Sequence, residues 1–147
     1  MTKTEFALPI EDYSVPCLIP ESEIQAFVGE LRNRETRVVM TRLHIVAFAA
    51  IELMHSRLAG KPDETKLLLI KQIAREDKNK RYRRMMEKIV AVLGSDQEGE
   101  EWMKGFGSAC MTIARAFEYA SESLPDCLVV RSTYEQRVEQ VKQACSP

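Results

Sequence analysis

The chain has 147 residues, of which 45% are hydrophobic and 29% are charged, and its formal net charge is −1. This length and composition predict one soluble globular domain with its own core and exclude a globally disordered chain. The near-neutral balance also falls short of the strongly basic composition of a dedicated nucleic-acid-binding protein.

The charges are unevenly placed along the chain. Residues 61–93 contain ten basic and five acidic side chains, a net of +5, whereas residues 1–35 and 94–147 each carry a net of −4. A basic middle between acidic ends either neutralises itself within the fold or marks a partner site.

Cysteine usage and apolar runs suggest a compartment. The four cysteines form no C-x-x-C pair and none lies near a histidine in sequence: Cys17, Cys110, Cys127 and Cys145. This spacing argues against a zinc site, and free thiols fit a reducing environment. We find no secretory signal pattern at the start, and the longest apolar run, 45–51, is far below the ~20 residues of a membrane span. We therefore expect a cytoplasmic protein without membrane contact.

Residues 1–20 are predicted to form an extended arm. Pro9, Pro16 and Pro20 remove backbone donors and disfavour helix at the residues before them. The arm also carries apolar side chains that need cover, so we expect it to dock on the body of the protein or on a partner. Its candidate contact residues are Phe6, Leu8, Ile10, Tyr13, Val15 and Leu18.

Helices are predicted from residue 21 onward. A capping box at Ser22 to Gln25 precedes a helix over 23–32, and a second helix over 37–58 is apolar around most of its circumference, as in a central helix. Gly60 is typical of a helix stop.

The next part of the chain leaves one alternative open. Asp63 is a candidate cap for a helix that loses its apolar stripe through 75–84 and regains it before Gly94, so either one long helix or two helices with a turn near Asn79 fit. A capping box at 95–98 predicts another helix start.

Two further segments complete the prediction. The apolar spacing of the following helix is typical of helix packing and involves Trp102, Phe106, Ala109, Ile113, Ala116 and Ala120. Residues 127–130 fit a short strand or an extended crossing, and a capping box at 132–135 predicts a last helix. The predicted fold is all-α: a compact bundle of five or six helices in one domain over 21–147, with the proline-containing arm over 1–20.

Catalytic and metal-binding patterns are weak. Glu52 and His55 have the i, i+3 spacing of metal-binding helical bundles, but with two histidines in the chain a two-metal site is excluded. A mononuclear site on Glu52 and His55 stays open, with Glu118 and Glu122 as candidate further ligands, but it needs at least three converging ligands and the sequence shows only pairs. Residues 105–110 contain G-x-G without the third glycine or a placed lysine of a nucleotide loop. We predict no enzyme activity, no cofactor and no metal.

The stretch "REDKNKRYRR" at 75–84 is the most distinctive functional feature of the sequence. Its cations and one aromatic ring are candidates for contact with nucleic acid or an acidic partner: Arg75, Lys78, Lys80, Arg81, Tyr82, Arg83 and Arg84. Guanidinium groups bind phosphate oxygens, and a tyrosine can stack on a base. The alternative is an ordinary solvated face diluted by Glu76 and Asp77.

The function predicted from these observations is a non-enzymatic protein–protein interaction module, such as an adaptor, an inhibitor or a small subunit of a larger complex. It would use the helical body and the arm, and its partner is another protein or a second copy in a homodimer. The alternative is an accessory or regulatory protein that contacts nucleic-acid phosphates through 75–84.

Overall fold

The computed structural model describes residues 15–61, 63–76 and 78–123, and over these residues the fold is all helical. Its five helices are α1 (Glu21–Gly29), α2 (Asn33–Leu58), α3 (Glu64–Glu76), α4 (Lys80–Leu93) and α5 (Gly99–Ser123). The predicted all-α bundle is thus confirmed. The expected strand or crossing at 127–130 and the helix after 132 lie outside the described residues.

The helices pack around α5, which contacts α1, α2 and α4, while α3 lies between α2 and α4. Helices α2 and α5 run antiparallel, because Arg57 lies 4.5 Å above the ring of Trp102 and His44 contacts Phe117 at the other end. Helices α2 and α3 are also antiparallel, because Glu52 pairs with Lys66 near the start of α3 and Arg42 pairs with Glu76 at its end.

Burial follows the predicted stripes. The six predicted packing residues of α5 are all buried, and α2 contributes the largest share of the core, including Met40, Leu43 and Val46. Of the described helices, α2 alone is long and apolar enough to cross a membrane by length and composition, and more than half of its most apolar part is buried inside the protein. A central core helix meets the same criteria.

Two predicted helix starts are wrong. The first helix begins at Glu21, because the Pro20 carbonyl already accepts the Glu23 amide at 3.0 Å, so Ser22 lies inside the helix. The last described helix begins at Gly99, whose φ of +57° interrupts helical backbone, so residues 95–98 stay in the preceding loop.

The second helix also begins earlier than predicted, at Asn33. The Arg32 amide donates to Glu35 Oε1 at 3.1 Å, which satisfies one of the free backbone donors at the helix start. The four residues added at this end bring Arg34 onto the helix.

Two predicted boundaries are confirmed. The Thr65 amide donates to Asp63 Oδ1 at 3.0 Å at the start of α3, and Gly94 is the C-cap of α4. A Cβ atom added at Gly94 would lie 2.9 Å from Leu67 of α3, so glycine permits the close approach there.

The described part of the arm, residues 15–20, is not helical and packs on the body of its own chain. The Leu18 amide donates to Thr112 Oγ1 of α5 at 2.8 Å, and Ile19 is buried. Residues 15–20 of the arm therefore dock on the body of their own chain, which is one of the two predicted alternatives.

Candidate functional site

The sequence left open whether one long helix or two helices with a turn near Asn79 cover residues 75–84, and the structure shows two helices, α3 and α4. The Asn79 side chain accepts the amides of Arg81 and Tyr82 at 2.9 and 3.0 Å and so caps α4. Arg75 stands in the last turn of α3, and Lys80 opens α4. The apolar stripe is lost in sequence because the chain leaves one helix and begins another.

All six predicted cations of this stretch are exposed to solvent: Arg75, Lys78, Lys80, Arg81, Arg83 and Arg84. Arg81 is engaged, since its Nε pairs with Glu30 Oε1 at the end of α1. Asn79 Nδ2 also donates to Glu30, at 3.4 Å. These contacts place the α3–α4 turn beside the connection between α1 and α2.

The predicted role of Tyr82 as a stacking platform is wrong. Its side chain is fully buried, on the same helical face as Met85, Met86 and Ile89, and its ring centroid lies 5.4 Å from that of Phe27. Tyr82 is the one aromatic residue of α3 and α4. A base stacked on this surface would therefore find no aromatic ring on these two helices.

Two basic residues outside the quoted stretch extend the same surface. Lys71 lies one turn before Arg75 on α3, and Lys88 follows Lys80 and Arg84 on α4 at steps of four residues, which places these three along one exposed face. Seven basic residues of α3, α4 and the turn between them make no ion pair with any described residue: Lys71, Arg75, Lys78, Lys80, Arg83, Arg84 and Lys88.

A shallow groove runs between α3 and α4. Ala74 and Val90 form its apolar floor, and its rim is lined by Lys71, Arg75, Arg83 and Glu87. Its volume is about 290 Å³. Three cations and one carboxylate thus surround a small apolar surface, and Leu68, which is 55% exposed, lies one turn before Lys71.

Tertiary packing adds three arginines that were not candidates in the sequence. Arg32, Arg34 and Arg37 are exposed at the start of α2. This end of α2 lies beside the α3–α4 turn. Glu30, which precedes α2 by three residues, pairs with Arg81 just after the turn, and Arg42 pairs at 4.0 Å with Glu76, the last residue of the antiparallel α3. We refer to these arginines together with the six exposed cations of residues 75–84 as the basic end.

The opposite end of the bundle is acidic. A broad depression there is lined by the exposed Leu58, by four acidic residues (Glu64, Asp96, Glu98 and Glu100) and by two basic ones (Arg57 and Lys104). Arg57 also donates to the Gln97 carbonyl at 2.8 Å. The two ends are separated by the 14 residues of α4, or about 21 Å at 1.5 Å per residue. The near-zero net charge of the chain therefore hides a separation of charge.

The arm candidates divide at Val15. Phe6, Leu8, Ile10 and Tyr13 lie outside the described residues. Val15 and Leu18 are half-buried, and Leu18 packs against the core of its own chain. Val15 and Leu18 therefore lie against their own chain, next to Met111 and Arg115 of α5.

The metal-site candidates do not converge in the described part of the chain. Glu52 pairs with Lys66 of α3, and His55 is exposed. Over residues 15–61, 63–76 and 78–123, no three histidine, cysteine, aspartate or glutamate side chains are close enough to hold one ion.

The half-buried His44 and the buried Cys110 are both held in their neutral forms. Burial lowers the pKa of His44 to about 4 and raises the pKa of the Cys110 thiol to about 12. At neutral pH the Cys110 sulfur is a thiol rather than the thiolate that acts as a nucleophile. Both side chains belong to the packing of α2 and α5.

Comparison of this chain with protein-family models, with curated protein sequences and with solved structures gives no significant match.

Proposed function

We propose that this protein is a non-enzymatic protein–protein interaction module, an adaptor, inhibitor or small subunit, that binds an acidic surface of a partner protein through its basic end. One observation carries the proposal. At the basic end, exposed cations on α2, α3, α4 and the connecting turn stand together, and those of residues 75–84 other than Arg81 have no ion-pair partner among the described residues.

Electrostatics favours binding over a purely structural role for these side chains. Exposed ion pairs within a protein contribute little stability, so leaving cations unpaired is cheap, and their combined field attracts an acidic partner. Like charges held together also repel one another. An acidic partner that neutralises them gains from both effects.

Nucleic-acid binding is the second candidate function, because the same unpaired cations suit phosphate oxygens. Two features make nucleic acid a less suitable ligand than an acidic protein. Tyr82 is buried, and the rim carboxylate of Glu87 interrupts the positive surface, which disfavours a continuous row of phosphates more than separate carboxylates of a protein. We therefore place an acidic protein first, with the cytoplasm as the expected compartment.

The experiment is a tagged pull-down from the native source with and without nuclease, comparing the wild type with a variant in which Arg75, Lys80, Arg83 and Arg84 are all changed to glutamate. Arg81 is left intact because it pairs with Glu30. The control reverses Lys61 and Lys104, two exposed lysines outside the basic end.

We expect protein partners that survive nuclease, are lost with the basic-end variant and are kept by the control. Partners retained by the basic-end variant would refute the proposal. Partners that disappear on nuclease treatment, together with bound nucleic acid, would establish the second candidate function instead.

A further inference from the structure

Resting on the proposed function, we infer that the groove between α3 and α4 is a docking site for a short segment of the partner protein in which apolar residues are flanked by carboxylates. The basic end as a whole attracts an acidic surface. The groove would supply the specific contact within it.

Shape and polarity of the groove define the ligand. Ala74 and Val90 give an apolar floor, and the exposed Leu68 extends that apolar surface along α3. An apolar side chain seated on this floor would remove the half-buried Val90 from water, and one that also reached Leu68 would bury more apolar surface, which favours binding in proportion to the area buried.

Charge on the rim defines the flanking groups. Lys71 and Arg75 stand on one side and Arg83 on the other, and none of the three pairs with a described acidic residue. The guanidinium groups of Arg75 and Arg83 can each take a carboxylate in a bidentate hydrogen-bonded pair. Glu87 on the same rim makes the positive field local rather than continuous, which suits spaced carboxylates better than an unbroken row of phosphates.

A peptide is favoured over a nucleic-acid strand for one further reason. Binding of single strands relies on aromatic stacking in addition to charge, and the one aromatic residue of these two helices, Tyr82, is in the core. The floor of the groove is instead aliphatic. Aliphatic contacts with carboxylate-flanked apolar residues are the chemistry of peptide recognition in a helical groove.

The test divides the basic-end variant into two matched halves. The groove variant carries Arg75→Glu and Arg83→Glu, and the outer variant carries Lys80→Glu and Arg84→Glu, which lie outside the groove lining. Each half changes the net charge by the same amount, so a difference between them reports position rather than overall charge. Both must show the thermal midpoint of the wild type.

The probe is a random peptide library displayed on phage and selected on the full-length wild-type chain, followed by titration of the selected peptides, labelled with a fluorophore. We expect enrichment of aspartate and glutamate beside leucine, isoleucine or phenylalanine. The groove variant should weaken these peptides by about tenfold or more, because it removes two direct carboxylate partners, and the outer variant by less than about threefold, because Lys80 and Arg84 lie outside the groove lining and act on the peptide only through solvent-screened charge.

Several results would overturn the inference: no peptide enrichment, selected peptides without acidic residues, or equal weakening by both variants. A single-stranded oligonucleotide that binds more tightly than the peptides and is weakened by the groove variant would also overturn it. These outcomes are separable from failure of the proposed function. If the pull-down partner is lost with the outer variant alone, the basic end binds a protein but the groove is not its site.

Discussion

The hydrogen bond between the arm and α5 offers a sharp test of how residues 15–19 are held. Thr112 is buried, and its hydroxyl accepts the Leu18 amide and donates to the Ser108 carbonyl, both at 2.8 Å. Thr112→Val keeps the shape of the side chain while replacing the hydroxyl with a methyl group. The substitution therefore removes this attachment of the arm without opening a cavity.

The expected loss of stability follows from the unpaired donor. A buried amide that loses its acceptor costs about 1–3 kcal/mol, and the Leu18 amide is only partly buried, so water can satisfy it in part. We expect a loss of about 1.5 kcal/mol. If the arm opens locally, this loss corresponds to roughly a tenfold increase in the open population.

Urea unfolding and amide hydrogen exchange together measure this effect. In Thr112→Val the Leu18 amide should exchange about tenfold faster, and the urea midpoint should fall without a change in slope. Thr112→Ser is the control, because it keeps the hydroxyl and should preserve protection at Leu18. Unchanged Leu18 exchange in the valine variant would refute the assignment of this hydrogen bond.

Three other predictions concern the arm, pH and close packing. Deletion of residues 1–19 should lower the urea midpoint clearly below that of a chain lacking residues 1–14, because the longer deletion also removes the buried Ile19 and the arm hydrogen bond. The pKa of His44 is about 4 in the folded state and 6.5 in the unfolded state, so protons bind the unfolded chain first as pH falls. The free energy of unfolding should therefore keep its full value above pH 6.5 and decrease between pH 6.5 and 4, by up to about 2 kcal/mol after allowance for the partial exposure of His44. Gly105→Ala should lower the free energy of unfolding by about 1 kcal/mol, because the added Cβ would lie 2.5 Å from Val92 Cγ1 and overpacking exceeds the gain in helix propensity.

Each of these has a control that isolates its cause. For the arm, equal midpoints for the two deletions would contradict the observed docking of residues 15–19. For pH, the free energy of unfolding measured in urea should differ between pH 7 and pH 5 much less in His44→Gln than in the wild type. For packing, Val92→Ala should offset the effect of Gly105→Ala in a double-mutant cycle, and strict additivity would show that the two side chains do not meet.

The helical regions and most of the core could be predicted from the sequence because they depend on local properties. Helical periodicity marked the buried residues of α5, and Gly60 and Gly94 marked where helices end. Capping boxes were less reliable. At Ser22 the pattern was present, but Pro20 starts the helix earlier through its carbonyl.

The candidate site was predicted only in part. The exposed cations of residues 75–84 were identified from composition, since charged side chains are seldom buried without a partner. Tyr82 was assigned to the same surface because it is adjacent in sequence. Its helical phase, fixed by the Asn79 cap, turns it into the core instead.

By itself, the sequence determined that this protein is a helical bundle with a basic middle segment, because apolar periodicity and charge are properties of neighbouring residues. Tertiary structure alone decided that Arg32, Arg34 and Arg37 join that segment, that a groove opens between α3 and α4, and that Leu18 is fixed by a residue 94 positions away. Such placements depend on contacts between distant parts of the chain, which form only when the helices pack.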